Sequence, residues 1–401
     1  MNNKTIQTNT AWRVKGVSLI ELLISMGLGL ILLTGMIAVF SGNKRSAELN
    51  TAMANIQENA RFALNQIGED IRMASFQGCL DPRQGELNVK GVSAPIPIIG
   101  VLPEGGPHYS FNRSSVAGSV VVQPAQWQPA IAGGFVPPVT NPAIAGTHAI
   151  VLQYASTLQS ELDGPVANGF GGTPNRAGTV YLKTNLGLAT GDLAVISNCD
   201  NADLFAVSTS GLHAANGQFL EHKAPLNWDG NFTTFYGRDR DIAMTRVSRF
   251  VSHIYYVGDT GLSNEAGDTV RALYQQSFPY NDDENPPVEL VQGVENMRVS
   301  YGIKDQNTLR YVTANDPAFR PQDVESVQIG LIMASYDRIS EQNDGNTYVV
   351  AGQSIEPLKG SDHGFNHAGD QRYRLVFNTT VKVRNRREES IFMSQANNQN
   401  N

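Results

Sequence analysis

The chain has 401 residues and carries 37 acidic against 30 basic side chains, a formal net charge of −7 at pH 7. Its length predicts one to three domains, and a hydrophobic fraction of 41% with 38 glycines and 19 prolines is typical of a globular, turn-rich body. The acidic balance argues against general nucleic-acid binding, which needs a basic surface.

The first 16 residues are a basic leader. Lys4, Arg13 and Lys15 are its charged residues, and it contains no acidic side chain, so the leader is expected to stay on the cytoplasmic side of a membrane. A secretory signal has its small-residue cleavage site after the apolar run, whereas Gly16 stands before it. Cleavage after Gly16 would therefore remove residues 1–16 and keep the apolar segment.

The apolar segment, residues 17–40, has Glu21 as its one charged residue. At about 1.5 Å of rise per residue it gives a helix of roughly 36 Å, enough to cross a hydrocarbon core of about 30 Å. A carboxylate at the bilayer centre costs roughly 2.5–3.5 kcal/mol. Glu21 lies nearer the interface but still calls for a partner; a plain signal anchor with an incidental glutamate is the alternative interpretation.

A short motif opens this segment and reads Gly16-Val17-Ser18-Leu19-Ile20-Glu21. It resembles the class III signal of type IV pilins and type II secretion pseudopilins. The resemblance implies that a prepilin peptidase cuts after Gly16 and N-methylates Val17, and that Glu21 meets the amino terminus of a neighbouring subunit. Burying an amine and a carboxylate together is far less unfavourable than burying either alone.

The next segment, residues 41–78, is predicted as the amphipathic half of the same helix. Apolar residues recur at steps of three and four, at positions 49, 53, 56, 60, 63, 64, 67, 71 and 74. The polar residues, among them Glu58, Arg61, Glu69 and Asp70, are assigned to the opposite face. The helix is expected to end near Gln77, before a glycine and a cysteine.

The two cysteines, Cys79 and Cys199, are open to two interpretations. If the body lies outside the cytoplasmic membrane, a single disulfide is the simplest, and it would contribute up to roughly 4–5 kcal/mol in the chain-entropy model. Two free buried thiols are the alternative. Cysteines without close histidines make a poor zinc site, and His363 with His367 is interpreted as part of a solvated loop. No catalytic constellation, metal site or cofactor is predicted.

The body, residues 79–387, is predicted to be rich in β-strands. Residues 81–146 are interpreted as a loop-rich insertion, and residues 388–401 as a disordered tail. Segments enriched in Val, Ile and Tyr are predicted as strands at 148–154, 179–183, 193–197, 203–208, 247–257, 270–275, 288–291, 297–303, 324–334 and 372–384. A short helix or turn is considered at 294–296. The expected class is α+β: a long N-terminal helix on a largely antiparallel sheet, a pilin-like plan.

Four further pieces of the chain resemble the PilW family of minor pilins. They are Asp-Ile-Arg-Met-Ala at 70–74, Ile-Ser-Asn-Cys-Asp at 196–200, Val-Gln-Gly-Val-Glu-Asn-Met at 291–297 and Val-Phe-Asn-Thr-Thr-Val-Lys-Val-Arg-Asn at 376–385. Many major pilins have a proline in the apolar helix, whereas here the first proline is Pro82, which argues against a major subunit.

This resemblance implies a non-enzymatic minor pilin that helps prime type IV pilus assembly and enters or caps the fibre, supporting twitching motility. The implied partners are the prepilin peptidase, the other minor pilins, the major pilin and the inner-membrane assembly platform, with no nucleic acid. The implied location is the inner membrane, with the body in the periplasm, and then the pilus. A J-type pseudopilin of type II secretion and a pilus-tip adhesin are the alternatives.

Overall fold

The computed structural model describes residues 18–74, 76–80, 87–91, 110–111, 116–121, 144, 147–227, 229–277, 286–305, 308–313, 316, 319, 324–358 and 366–383. The chain divides into two compact units, residues 1–53 and 54–401. One long helix, α1 (Leu19–Met73), begins in the first unit and ends in the second. The second unit packs its part of that helix on mostly antiparallel sheets, which confirms the predicted α+β class.

The helix ends at Met73 rather than near Gln77. The Phe76 amide donates back to the Met73 carbonyl oxygen at 2.9 Å, while the Phe76 carbonyl accepts from the amide of Ala155 at 2.7 Å. The chain is therefore already bonded to a strand where the prediction continued the helix. Gly78 then adopts a left-handed φ of +81°, a conformation that glycine reaches without steric cost.

Strands are numbered in chain order as β1 (Leu87–Gly91), β2 (Ser110–Phe111), β3 (Val116–Val121), β4 (His148–Glu161), β5 (Val180–Leu182), β6 (Leu193–Ser197), β7 (Ala202–Ala206), β8 (Thr209–His213), β9 (Gly217–Glu221), β10 (Arg246–Ser263), β11 (Thr269–Ser277), β12 (Val288–Gln292), β13 (Val294–Asp305), β14 (Thr308–Val312), β15 (Val324–Arg338), β16 (Tyr348–Val350), β17 (Gln353–Ile355) and β18 (Arg372–Lys382). A short 3-10 helix, Asp239–Ala243, precedes β10.

The larger sheet has nine strands among the described residues, with the path β12-β11-β10-β6-β7-β1-β2 and with β4 pairing both β10 and β3. Strand β10 is its centre, because it pairs with β11, β4 and β6 along different parts of its length. The β1–β7 pair is parallel, whereas the other pairs of this sheet are antiparallel.

A second, antiparallel sheet has the order β14-β13-β15-β18. A three-stranded sheet, β5-β9-β8, and the hairpin β16-β17 complete the body as far as the structure describes it.

The helix and the two main sheets share one hydrophobic core. Residues 54–73 bury Ile56, Ala60, Ala63, Ile67 and Ile71, at the helical spacing that the sequence predicted. Their neighbours come from both main sheets, and include Ile150, Leu152, Tyr255, Leu273, Val299, Leu331 and Val381. In residues 54–73, the apolar face that the sequence predicts is therefore the face that packs against the sheets.

The predicted strands are all present, and several are longer than expected; β10 and β15 run well beyond 247–257 and 324–334. The short helix or turn considered at 294–296 is wrong: β13 already begins at Val294, and a register shift between Val294 and Asn296 accounts for the irregular pattern. Strands β8, β9, β14, β16 and β17 were not predicted, and neither were β1, β2 and β3, which lie within the segment 81–146 that was interpreted as a loop-rich insertion. Most of residues 81–146 and the tail 388–401 lie outside the described residues.

Candidate functional site

The N-terminal part of α1 exposes a continuous run of large apolar side chains. Leu19 is 77% exposed, Leu32 72% and Phe40 70%. Among the described residues, α1 is the helix that is long and apolar enough to cross a membrane by length and composition. Water alone is an unfavourable environment for such a surface, so this segment is a possible membrane anchor.

Ser18 and Glu21 form the start of this helix. The Glu21 amide donates to the Ser18 hydroxyl at 3.2 Å, and the Leu22 amide donates to the Ser18 carbonyl oxygen at 3.1 Å. Ser18 is therefore the N-cap, and Glu21 stands three residues later, in the Ser-x-x-Glu order of a capping box. The sequence interpretation missed this local role of Glu21, although the four-residue pattern signals it.

Glu21 is exposed, and within the described part of the chain no ion pair involves it. Gly16 and Val17, where cleavage and N-methylation are predicted, lie outside the described residues. The predicted meeting of Glu21 with a neighbouring amino terminus concerns a second subunit. These three assignments therefore stay predictions.

In the body, Asp70 fixes α1 to the larger sheet. Its carboxylate accepts from the hydroxyl of Tyr154 at 2.7 Å and from that of Tyr255 at 2.6 Å, and it lies 2.7 Å from Nδ1 of His253. The Gln275 amide donates to the Tyr255 hydroxyl at 2.9 Å and so continues the network. The assignment of Asp70 to the solvent face is wrong, because its polar partners on β4 and β10 allow it to be buried.

These contacts determine how the group ionises. Burial raises the pKa of Asp70, but the hydrogen bond and charge of His253 and the hydroxyls of Tyr255 and Tyr154 outweigh it, so the pKa of Asp70 lies below its usual 3.8. Burial, together with the charge of Asp70, raises the pKa of both tyrosines well above their usual value. The cluster is thus a carboxylate held by two neutral hydroxyls and an imidazole, an arrangement that stabilises the ionised form.

Just beyond the helix, a disulfide joins Cys79 to Cys199, the first of the two sequence interpretations. The Cα atoms are 4.6 Å apart, although 120 positions separate them in the chain. The Cys79 amide also donates to the Ser197 hydroxyl at 3.4 Å. Cys199 follows β6, so the bond connects the end of the helical region to the turn between β6 and β7.

A buried ionic network lies in the four-stranded sheet. Arg374 lies against both oxygens of Glu295 and against Asp370, with Nη2 at 2.6 Å from the Asp370 carboxylate. Arg372 bonds Asp370 at 2.8 Å and also reaches Glu295. Asp344 adds a contact of 3.4 Å to Arg374. The network ties the segment between β15 and β18 to the start of β13.

The network keeps Glu295 ionised. Burial raises the pKa of Glu295, but the charges and hydrogen bonds of Arg374, the charge of Arg372 and the amide of Ala368 hold it at about 2. A carboxylate buried with several donors is stable only while they remain, so these residues serve as structural links within the sheet.

His367 belongs to the same region, and its assignment to a solvated loop is wrong. The ring is fully buried, with Nε2 at 2.8 Å from the Asn346 carbonyl oxygen and Nδ1 at 3.9 Å from Asp344. His363 lies outside the described residues. Within the described ranges, no group of three or more His, Cys, Asp or Glu side chains is placed to hold a metal ion.

A long N-terminal helix, apolar in its first part and packed on β-sheets in its second, defines a pilin-like protein. Residues 254–385 match the family model PilW, described as Type IV Pilus-assembly protein W. This match covers about a third of the chain, supports a PilW-family type IV pilus protein and confirms the resemblance found in the sequence. No curated protein and no solved structure matches the chain significantly.

The matched segment lies in the body. It contains most of β10, the strands β11–β18 and the whole Glu295–Arg374 network. The motif from Gly16 to Glu21 is outside it. The family therefore supports a part in type IV pilus assembly and an interaction with other pilus components, while the N-terminal motif is supported by its sequence and by the apolar helix that follows.

Proposed function

We propose that this protein is a minor pilin that helps prime type IV pilus assembly and is incorporated into the fibre or caps it. The single observation that carries the proposal is the PilW match in a chain that has a membrane-length apolar helix near its N-terminus. Its partners would be the other minor pilins, the major pilin and the inner-membrane assembly platform.

Before assembly, the apolar helix anchors the protein in the inner membrane with the body in the periplasm. The prepilin peptidase removes residues 1–16 and leaves Val17 as a methylated amino terminus. Entry into the fibre then moves the helix from lipid into contact with other helices, where the amine of a neighbouring subunit neutralises Glu21. An isolated carboxylate is unfavourable in either environment, so this pairing favours the assembled state.

When the helix moves during assembly, the body is expected to move with it, because several independent contacts join the two. The apolar face of residues 54–73 lies in the core, Asp70 accepts hydrogen bonds from β4 and β10, and the disulfide follows immediately after the helix. A force applied to the helix during extraction from the membrane is therefore transmitted to the sheets through these contacts.

The capping geometry makes a specific test of Glu21 possible. Glu21→Gln keeps the capping-box side chain, since glutamine serves at that position, but removes the charge. Ser18→Ala removes the cap and keeps the charge. We expect both variants to be membrane-inserted, and Glu21→Gln alone to lose most surface pili in a strain that lacks the native protein.

Two results would contradict the role of the Glu21 charge. Normal piliation with Glu21→Gln would remove it outright. An equal loss in Ser18→Ala and Glu21→Gln would assign the defect to the helix start instead of the charge. Membrane fractionation and immunoblotting of each variant separate an assembly defect from a failure of insertion.

A deletion strain distinguishes the proposal from a J-type pseudopilin or a tip adhesin. A priming minor pilin predicts loss of pili and of twitching with normal enzyme secretion, whereas a pseudopilin predicts the reverse. An adhesin predicts normal pili that no longer attach to a surface.

A further inference from the structure

A lysine in the larger sheet lies between two carboxylates in the interior of the body. Nζ of Lys90 is 3.2 Å from Oδ2 of Asp229 and 3.5 Å from Oδ1 of Asp203. The Asp203 side chain is fully buried and that of Lys90 is 10% exposed, whereas that of Asp229 is 34% exposed. An amine and two acids are thus held within contact distance, two of them almost without solvent.

The backbone fixes all three groups. In the parallel pair of β1 and β7, Asn88 lies opposite Asp203, and Lys90 stands two residues further along β1. The Asp229 amide donates to the Lys90 carbonyl oxygen at 3.0 Å, and the Asn231 amide holds Oδ1 of Asp229 at 2.9 Å. Bringing the lysine and the two carboxyl groups together therefore costs little additional conformational entropy.

Asp203 is buried beside aromatic side chains and a threonine. Thr233 donates its amide to Oδ2 at 2.9 Å and its hydroxyl to Oδ1 at 2.6 Å. The adjacent Phe232 and Tyr236 are fully buried, and the ring of Phe205 lies 5.2 Å from that of Phe232. A low-dielectric wall of this kind disfavours separated charges and favours neutral reactants.

The pKa values of the two carboxyl groups are shifted in opposite directions. Burial raises the pKa of Asp203 and outweighs the hydrogen bonds from Thr233 and the charge of Lys90. Burial also raises the pKa of Asp229, but the hydrogen bonds from Asn231 and Lys90 lower it by more. The pKa of Asp229 therefore lies below its usual value. One carboxyl group is biased toward the acid and the other toward the ion, which is the division of roles between an electrophile and a base.

We propose that Lys90 and Asp203 condense to an intramolecular amide bond, with Asp229 as the base. Asp229 takes a proton from the Lys90 ammonium group, and the free amine attacks Cγ of the neutral Asp203 carboxyl. The Thr233 amide stabilises the negative charge that develops on Oδ2 in the tetrahedral intermediate, and the Thr233 hydroxyl positions Oδ1, the oxygen that leaves. The C–OH bond then breaks, the second nitrogen proton is transferred through Asp229 to the departing oxygen, and water leaves.

The balance of this step is complete without any co-reactant. An ammonium group and a carboxylic acid become one secondary amide, one water molecule and one proton, and the proton leaves through the partly exposed Asp229. Nothing is oxidised or reduced. Well-oriented intramolecular reactions reach effective molarities of about 10⁵–10⁸ M, so an otherwise slow condensation becomes accessible within a folded body. The product joins β1 to β7 covalently, and it is independent of the proposed role in the pilus.

Mass spectrometry of the full-length wild-type protein tests the proposal directly. After reduction and denaturation, the intact mass should be one water molecule lower than the mass calculated for the same chain with its N-terminal processing included. Trypsin does not cut after an acylated lysine, so digestion should give one branched product of residues 84–113 and 184–223. The proposal would be overturned if the folded, disulfide-linked protein showed no loss of water and trypsin cut after Lys90. The three residues would then be an unreactive ion-pair cluster.

Substitutions assign the roles. Asp203→Ala should abolish the branched peptide, and Asp203→Asn should restore it with the loss of ammonia in place of water. Asp229→Asn should slow its formation by about 10²-fold, the usual contribution of a general base. The exposed pair Lys223 and Glu221, only 2.7 Å apart, is the control for proximity alone and should stay unlinked. A branched product that persists in Asp203→Ala would show that another acid reacts and would refute the assignment.

Discussion

Replacing Asp70 by alanine should lower the free energy of unfolding of the body by about 3–5 kcal/mol, the usual cost of removing one partner of a buried, charged network. The carboxylate accepts hydrogen bonds from Tyr154 and Tyr255 and contacts His253, all within 2.7 Å. Each hydrogen bond to a charged group contributes roughly 1.5–3 kcal/mol. The side chains left behind retain part of their bonding, since Tyr255 still accepts from Gln275, so the loss is smaller than the simple sum.

The effect should depend on pH in a defined direction. The pKa of Asp70 is lower in the folded protein than its ordinary 3.8. Its contribution to stability is therefore complete above pH 3.8, and it is lost as the pH falls from there through the lowered folded value. The difference in stability between wild type and Asp70→Ala should accordingly shrink as the pH falls below 3.8.

Urea unfolding of the full-length protein in detergent, followed by near-ultraviolet circular dichroism, measures this difference. Glu58→Gln is the matched control, because Glu58 is an exposed acid on the same helix; it should change the stability by less than about 0.5 kcal/mol. A loss of under 1 kcal/mol in Asp70→Ala, or a difference that grows toward acid pH, would refute the reasoning.

Three further predictions concern other parts of the chain. Gly16→Glu should leave the precursor uncut, and N-terminal sequencing should still find the basic leader; a mature-sized product would end the cleavage hypothesis. Peptides containing Cys79 and Cys199 should be recovered linked without reductant, and Cys199→Ser should lower the unfolding free energy by up to roughly 4–5 kcal/mol. Glu295→Gln should cost about 3–5 kcal/mol in denaturant unfolding, because Arg372 and Arg374 both lose the most deeply buried of their counter-charges; a change near zero would mean that the charge of Glu295 contributes no net stability.

Periodicity and residue type along the chain were sufficient to predict the helix and most strands of the two main sheets. The apolar steps at Ile56, Ala60, Ala63 and Ile67 are a property of neighbouring residues, so they are visible without any tertiary contact. The same holds for β6, a short apolar run whose residues are buried on both faces. Family resemblance was recognised from short pieces, of which the one at 291–297 crosses from β12 into β13.

Features that depend on distant partners were not predictable in this way. Gly211 lies in β8, where a glycine weakens the strand signal. The ring of Phe219, its partner on β9, occupies the space that a side chain at Gly211 would need. Strands of three residues, such as β16 and β17, are too short to show a period. Asp70 was assigned to solvent because its partners, Tyr154 and His253, are far away in the sequence. Its acidic character alone gave no sign of burial.

The parallel pairing of β1 with β7 has a consequence for how such chains can vary. Parallel neighbours need a crossover rather than a tight turn, and here the chain leaves after Gly91 and returns at Ala202. Doubling the length of a closed flexible loop costs only about 0.6 kcal/mol. The connections between the described strands of this interval, such as the one from β5 to β6, can therefore lengthen or shorten at little thermodynamic expense. Such connections are free to diversify while the packing of the sheets on residues 54–73 stays the same.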